Sequence, residues 1–100
     1  MIIVIARVDF DPARLQEIEP ALEAMMRATW EESGCLSYSM AIENRAEGIV
    51  TIVERWRSEA ELKAHFMTPH MAAFQTAIAG MTRTIDARLY DVVNERPVVV

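Results

Sequence analysis

The sequence is poor in the residues that build several common kinds of site. Of its 100 residues only one is cysteine, 3 are glycine and 7% are aromatic. A lone cysteine, Cys35, excludes an intrachain disulfide, and the chain has neither a glycine-rich phosphate loop nor a Ser–His–Asp pattern. Cys35 is interpreted as a small buried hydrophobe because no histidine pattern accompanies it. Nucleotide, flavin and disulfide chemistry are therefore not indicated.

Positive charge is also scarce. Ten basic residues face fifteen acidic ones, for a net charge of −5, and the basic residues are scattered along the chain. This distribution argues against nucleic acid and against an anionic membrane as partners. The opening run MIIVIARVDF reaches Arg7 and Asp9 too soon for a signal peptide or a membrane span. We therefore expect a cytoplasmic protein.

Apolar residues, in contrast, are abundant, at 52% of the chain. We expect residues 1–100 to form one domain, and a domain of this size buries roughly 60 to 68% of the surface of its unfolded chain. Surplus aliphatic and methionine side chains would then lie on the outside of a monomer. A homodimer, with the apolar tail Pro97–Val100 packed on the partner subunit, is the expected outcome.

Four segments have the composition of strands. The β-branched run Ile49–Val53 predicts a central strand that is covered on both faces and ends at Glu54, Arg55 and Trp56. Further strands are predicted over residues 2–9, 36–43 and 84–93. Two of these are expected to direct alternate residues to one face, namely Leu36, Tyr38, Met40 and Ile42 in one, and Ile85, Ala87, Leu89, Asp91 and Val93 in the other.

A long amphipathic helix is predicted to begin after Asp11, which would act as N-cap with Pro12 at the first helical position. Its apolar stripe is Leu15, Ile18, Leu22, Met25, Met26 and Thr29. Pro20 removes one hydrogen bond, so we expect a kink or a fresh helix start at Glu19. Gly34 is predicted to end the helix.

The second helical region is predicted in two pieces. Ser58 with Glu61 forms a capping box, which starts a helix immediately after Arg57. Thr68 and Pro69 restart the helix as N-cap and first residue. Gly80 is expected to close it. The inner side of the two pieces is expected to carry Leu62, His65, Phe66, His70, Phe74, Ala77 and Ile78.

The resulting order is βαββαβ, which predicts an α+β, ferredoxin-like fold with a four-stranded antiparallel sheet and helices on one face. The other face of the sheet is apolar as well. Pairing two such faces would remove both from water, which contributes roughly 25 cal/mol of stabilising free energy per Å² of apolar surface buried. The predicted assembly is therefore a dimeric α+β barrel.

The two histidines are the main candidates for chemistry. His65 is interpreted either as a core or rim histidine bonded to a carbonyl, or as the general base of a pocket between helix and sheet. His70 is interpreted as a structural residue at a helix N-terminus or as a group that contacts substrate. A metal site on both is disfavoured, because their spacing crosses the Pro69 restart and no third ligand has diagnostic spacing.

Three further residues have two readings each. Trp56 and Glu54 share a strand face. In one interpretation, the indole covers the core edge and Glu54 pairs with Arg7 or Arg88. In the other, the indole forms the wall of a planar-ligand site and its N–H donates to a substrate oxygen. Tyr38 is either a core residue with a satisfied hydroxyl or a hydrogen-bond donor in the pocket.

The residues also carry a family resemblance. Gly34-Cys35 before the second strand, Glu54-Arg55-Trp56 followed by Ser58, and the run His65–Phe74 containing Thr68-Pro69-His70 resemble the antibiotic biosynthesis monooxygenase family, and its quinol monooxygenase branch in particular. The resemblance spans essentially the whole chain. It implies a ferredoxin-like dimer and a cofactor-independent oxidation of a small quinol or phenol, without flavin, haem or metal.

The family also includes haem-degrading and isomerase-like branches, so fold alone does not choose the reaction. The haem branch is disfavoured because its catalytic asparagine, tryptophan and iron-binding histidine fall on Ala6, His65 and Gln75 here. An isomerase acting on a small dicarbonyl or hydroxyketone, or a non-catalytic small-molecule binder, remains an alternative. The predicted catalytic residues are His65, Trp56 and Tyr38, and the predicted substrate-binding residues are His70, Phe66, Phe74, Arg7 and Glu54.

Overall fold

The computed structural model describes residues 1–100 as four strands, three α-helices and one 3₁₀ turn. The predicted βαββαβ order is confirmed, with the second helical region divided into two pieces as expected. The elements are β1 (Ile2–Phe10), the 3₁₀ turn (Pro12–Arg14), α1 (Leu15–Trp30), β2 (Cys35–Asn44), β3 (Ile49–Trp56), α2 (Glu59–Phe66), α3 (Pro69–Ile78) and β4 (Thr82–Asp91).

The four strands form one antiparallel sheet in the order β2-β3-β1-β4. β1 and β3 occupy its centre, which confirms the central position predicted for the run Ile49–Val53. Val4 lies opposite both Glu54 on β3 and Leu89 on β4, so these three side chains share one face. We call the face that carries them, on the side of the helices, the inner face, and the opposite one the outer face. This arrangement is the predicted ferredoxin-like fold.

The core lies between the inner face and α1. The apolar stripe of α1 is buried as predicted, at Leu15, Ile18, Leu22, Met25 and Thr29. The expected fresh start at Glu19 is wrong, because α1 is continuous from Leu15 and passes through Pro20. Asp11 caps the preceding 3₁₀ turn instead, by accepting from the N–H of Ala13. The helix tolerates Pro20 because only one N–H donor is lost while the buried stripe continues on both sides.

The two outer strands differ from the prediction at their ends. The register of β2 shifts between Cys35 and Ser37, and Leu36 is half exposed instead of joining Tyr38 in the core. An extra residue in one strand breaks the alternation of side chains, which explains the error. At the other edge, β4 ends at Asp91, so Val93 lies beyond the strand and is fully exposed.

The caps of the second helical region agree with prediction in part. Ser58 accepts from the N–H of Glu61, as the capping box requires. The Glu61 side chain, however, accepts from the guanidinium of Arg57 rather than from the N–H of Ser58. An arginine is the stronger donor because it is charged. Only one arm of the predicted box is therefore made.

None of the helices has both the length and the apolar character needed to span a membrane.

Gly48 and Gly80 both adopt positive φ, at 74° and 76°. Their surroundings differ, because a Cβ on Gly48 would lie 2.2 Å from the carbonyl oxygen of Phe10, whereas a Cβ on Gly80 would have nothing within 4 Å. We predict that Gly48→Ala lowers the free energy of unfolding by about 3 kcal/mol, through both backbone strain and the clash. The matched variant Gly80→Ala should cost only about 1 kcal/mol, from strain alone.

Denaturant unfolding of the two variants and the natural chain measures both values. Equal losses at the two positions would show that contact with Phe10 contributes nothing.

Candidate functional site

Both histidines contact one carboxylate. His65, in the last turn of α2, is completely buried, and its Nδ1 lies 2.6 Å from Oε2 of Glu32. His70, in the first turn of α3, places its Nε2 2.7 Å from the same oxygen. The site therefore joins the α1–β2 turn, α2 and α3.

The chain reversal between α2 and α3 brings the two rings together. Thr68 accepts from the N–H of Met71 as the predicted N-cap, and its hydroxyl donates to the carbonyl of His65. The two histidine rings then lie 5.9 Å apart between centroids. The histidines lie on separate helices, as predicted. They nevertheless converge, because both contact the carboxylate of Glu32, which lies between the helix ends.

Glu32 is the residue that sequence reasoning missed. It lies in the turn after α1, beside Gly34, and Cys35 then pairs with Trp56 at the start of β2. That register places the turn at the sheet end that carries Trp56. Gly34 is needed there for space rather than for φ, because a Cβ would lie 1.4 Å from Oε2 of Glu61. The Gly34-Cys35 pair was the sequence signal available for this part of the site. It indicated the turn but did not indicate that Glu32 in the turn is a site residue.

The shared carboxylate fixes the tautomer of His65. An ionised carboxylate only accepts hydrogen bonds, so Nδ1 of His65 and Nε2 of His70 act as donors. In neutral His65 the lone pair then resides on Nε2. This nitrogen is buried and has no hydrogen-bond partner. An unmade hydrogen bond of this kind costs about 1–3 kcal/mol, which makes Nε2 an acceptor available to a ligand.

Aromatic rings surround His65. The ring centroids of Trp56, Tyr38 and Phe66 lie 4.8, 5.4 and 6.0 Å from that of the imidazole. Trp56 and Tyr38 are buried and meet edge to face. The imidazole is therefore packed among aromatic rings, and Glu32 is the one hydrogen-bond partner of its side chain.

Trp56 and Glu54 form a buried pair. The indole N–H donates to Oε1 of Glu54 over 2.9 Å, so it is not free for a substrate oxygen, contrary to one interpretation. The alternative pairing of Glu54 with arginine is not observed either, since Arg7 contacts Glu43 and Arg88 contacts Asp86. The register places both arginines on the outer face of the sheet, whereas Glu54 lies on the inner face.

Burial raises the pKa of three groups around His65. Desolvation raises the pKa of Glu54, an effect that the Trp56 hydrogen bond partly opposes. It also raises the pKa of Tyr38 and of Cys35, and the neighbouring carboxylates add to both shifts. Tyr38 thus remains a neutral phenol, and Cys35 remains a thiol, in agreement with its interpretation as a small hydrophobe.

The pocket expected directly beside His65 and Trp56 is not present, since none of the five cavities is lined by His65, Trp56 or Tyr38. The three rings pack against one another instead. A cavity of about 230 Å³, which we call the α2 cavity, lies between α2 and the inner face. Its walls include Val4, Leu62, Phe66, Ala87 and Leu89.

Two residues that line the α2 cavity are neighbours of Glu54 and His65. Val4 lies opposite Glu54 in the sheet, and Leu62 precedes His65 by one helical turn. Two other cavities lie along α3. Phe74 lines one of about 220 Å³ above Ile52, and with His70 it lines one of about 170 Å³ against α1.

The structure thus brings together six of the eight predicted site residues. The cluster consists of His65, Trp56, Tyr38, Phe66, Glu54 and His70, with Glu32 as an additional member. Phe66 also lines the α2 cavity, and Phe74 lines the two cavities along α3. Arg7 lies apart on the outer face, where it pairs with Glu43. Glu32 is also the third candidate metal ligand, which the sequence did not reveal. One ligand atom from each of Glu32, His65 and His70 lies within 4.8 Å of the others.

Comparison with known proteins gives a consistent result. A family model described as antibiotic biosynthesis monooxygenase matches residues 1–77. The probable quinol monooxygenase YgiN of Escherichia coli K12 is 26% identical over 99 residues, covering 89% of this chain and 95% of YgiN. A crystal structure of an antibiotic biosynthesis monooxygenase superposes with a TM-score of 0.85 at 25% identity, covering 94% of this chain and 100% of that one. The structure of Rv0793 from Mycobacterium tuberculosis superposes with a TM-score of 0.83 at 27% identity, covering 96% of this chain and 98% of that one.

The raised pKa of Glu54 predicts a pH-dependent stability. Between its ordinary value of 4.5 and its higher folded value, the folded state binds more protons than the unfolded state, so the free energy of unfolding falls as pH rises. Glu54→Gln retains an acceptor for Trp56 and cannot ionise. We therefore predict that this variant gains stability relative to the natural chain as pH increases above about 4.5.

Denaturant unfolding from pH 4 to pH 8 measures the difference. The control Glu47→Gln, in the exposed β2–β3 turn, should give a curve parallel to that of the natural chain. Parallel curves for Glu54→Gln as well would contradict the prediction.

Proposed function

The chain belongs to the antibiotic biosynthesis monooxygenase family, and from this we propose that it oxidises a small electron-rich aromatic, of the quinol or phenol type, with O₂ and without a cofactor. The observation that supports this proposal best is the buried Nε2 of His65. It is an unpaired acceptor on a ring whose other nitrogen is held by Glu32. A base oriented in this way is what formation of a phenolate requires.

The proposed reaction begins with transfer of the substrate hydroxyl proton to Nε2. The resulting anion gives one electron to O₂, and the two radicals recombine to a peroxide on the ring carbon. Loss of water from the peroxide, with the proton returned by His65, leaves one oxygen atom on the substrate as a carbonyl. Overall, the C–OH group, one ring CH group and O₂ become two C=O groups and one water, so no external reductant is needed.

Glu32 and His70 support this base. Once His65 is protonated, the carboxylate of Glu32 stabilises the imidazolium, as the carboxylate of a catalytic triad does. The hydrogen bond from His70 fixes the carboxylate in turn. Tyr38, which remains protonated, is the proposed donor to the developing oxyanion, because Trp56 is already bonded to Glu54. Glu32 is therefore a positioning residue.

We place the substrate in the α2 cavity. Its volume of about 230 Å³ suits a single aromatic ring, and Phe66 provides an aromatic wall. Lys63 at its edge is paired with Glu59, which also lines the cavity. His65 does not line this cavity, so contact between a substrate there and Nε2 requires an intervening side chain to move, or one bridging water.

We also propose that two copies of the chain associate through their outer faces. Ile5 and Val53 are cross-strand neighbours there and remain 43% and 38% exposed. The tail after β4 carries Val98, Val99 and Val100, all exposed, and its Glu95 contacts Arg55 on the same face. A second copy would remove these apolar groups from water.

The base is tested by oxygen uptake with a hydroquinone. We predict that His65→Ala and the shape-preserving His65→Gln each lower turnover at least tenfold, and that Glu32→Gln lowers it by about ten- to a hundredfold, through loss of the base and of its orientation. Glu31→Gln, in the same turn but exposed, should be unaffected.

Oxygen consumption and carbonyl product must appear together in the natural chain. Product without oxygen uptake would indicate proton transfer as in an isomerase, and binding with neither would indicate a non-catalytic binder. Unchanged turnover in both His65 variants would remove this residue from the mechanism.

The association is tested separately by sedimentation at micromolar concentration. The natural chain should have about twice its 11.3 kDa mass. Val53→Glu should shift it toward monomer, because a charge would have to be buried in the interface. Gln16→Glu, on the exposed side of α1, should leave the mass unchanged. A natural chain that sediments as a monomer would refute the dimer.

A further inference from the structure

We propose that Glu32, His65 and His70 form a binding site for a divalent cation of the Zn²⁺ class, and that an occupied site inactivates His65 as a base. The first half rests on the geometry of the three side chains alone. The second half also rests on the proposed function. The sequence disfavoured a metal here because it lacked a third ligand, and Glu32 provides that ligand.

The ligand atoms are already assembled. Nδ1 of His65 and Nε2 of His70 lie 2.6 and 2.7 Å from Oε2 of Glu32, and all three atoms lie within 4.8 Å of one another. Zn²⁺ binds nitrogen and carboxylate oxygen at about 2.0–2.2 Å, so neighbouring ligands of a tetrahedral ion are roughly 3.3 Å apart. For the ion to fit, both nitrogen–oxygen distances must therefore lengthen by roughly 0.6 Å and the two ring nitrogens must lie roughly 3.3 Å apart.

The surroundings allow that movement. Glu32 lies in a turn, and its side chain is 16% exposed. The side chain of His70 is 24% exposed, so a water can complete the fourth position from the solvent side. His65, in contrast, is fixed in the core. The site thus combines one rigid ligand with two that can adjust.

Electrostatics also favour a cation. The ion pairs of Glu32 are with the two histidines only, and no lysine or arginine balances its charge. Two imidazoles and one carboxylate are a donor set that borderline divalent ions prefer.

An ion at this position changes which nitrogen of His65 carries the proton. In the free site Nδ1 donates to Glu32 and Nε2 holds the lone pair. When Nδ1 binds the ion, the proton of a neutral ring must move to Nε2. His70 shifts its proton from Nε2 to Nδ1 in the same way, so the exchange needs no net proton release. The nitrogen proposed to accept the substrate proton then becomes a donor, and catalysis stops.

The cation site is tested by titrating chelator-treated protein with Zn²⁺ in competition with a chromophoric chelator. We expect one equivalent to bind per chain, and both Glu32→Gln and His70→Gln to weaken binding at least tenfold. Glu31→Gln should bind as the natural chain does. Co²⁺ should give the visible absorption band of a four-coordinate site in the natural chain and lose it in Glu32→Gln. Failure of Zn²⁺ to bind, or equal binding by Glu32→Gln, would overturn the proposal.

The inactivation is tested on the same samples. Oxygen uptake with hydroquinone should fall in proportion to the fraction of sites that hold Zn²⁺, and a chelator should restore it. Full activity at saturating Zn²⁺ would overturn the link to the base. If the chain proved inactive with every quinol, the titration and the Co²⁺ spectrum would still decide whether the cation site exists.

Discussion

The organisation of the site depends on one carboxylate oxygen that accepts two hydrogen bonds. Oε2 of Glu32 holds His65 on α2 and His70 on α3, and so ties both helices to the turn that enters β2. A partly buried carboxylate without an arginine or lysine is costly unless its hydrogen bonds are made. The two imidazoles supply them. Loss of Glu32 would therefore leave the buried Nδ1 of His65 without a partner.

The fold brings these groups to the same place through the pairing of its strands. Cys35 lies opposite Trp56, so the turn that follows α1 and the end of β3 meet at one end of the sheet. The chain leaves β3 there and enters α2 through the Ser58 cap, which returns His65 over Trp56. Local signals set each of these steps. The histidine cluster is consequently a product of sheet register and two helix caps, rather than of any motif contiguous in sequence.

Local chemistry was sufficient to predict the fold and most of the cluster. The order of elements along the chain, the Thr68 cap and the inward orientation of His65 all follow from propensities and periodicity. The shape of the site did not follow, because it depends on pairings between distant residues. The bulge that exposes Leu36 and the bond between Trp56 and Glu54 leave no trace in the alternation of residue types. Glu32 was indistinguishable from its exposed neighbour for the same reason.

The hydrogen bonds that would make His65 a base are also those that would make it a metal ligand. A carboxylate that orients an imidazole must lie within bonding distance of one ring nitrogen, and a second donor that steadies the carboxylate must approach the same oxygen. Two imidazoles and a carboxylate so arranged are also a donor set that a zinc ion prefers. Orientation of the base and affinity for a cation therefore increase together. The buried, unpaired Nε2 of His65 is the atom at which the two effects oppose each other.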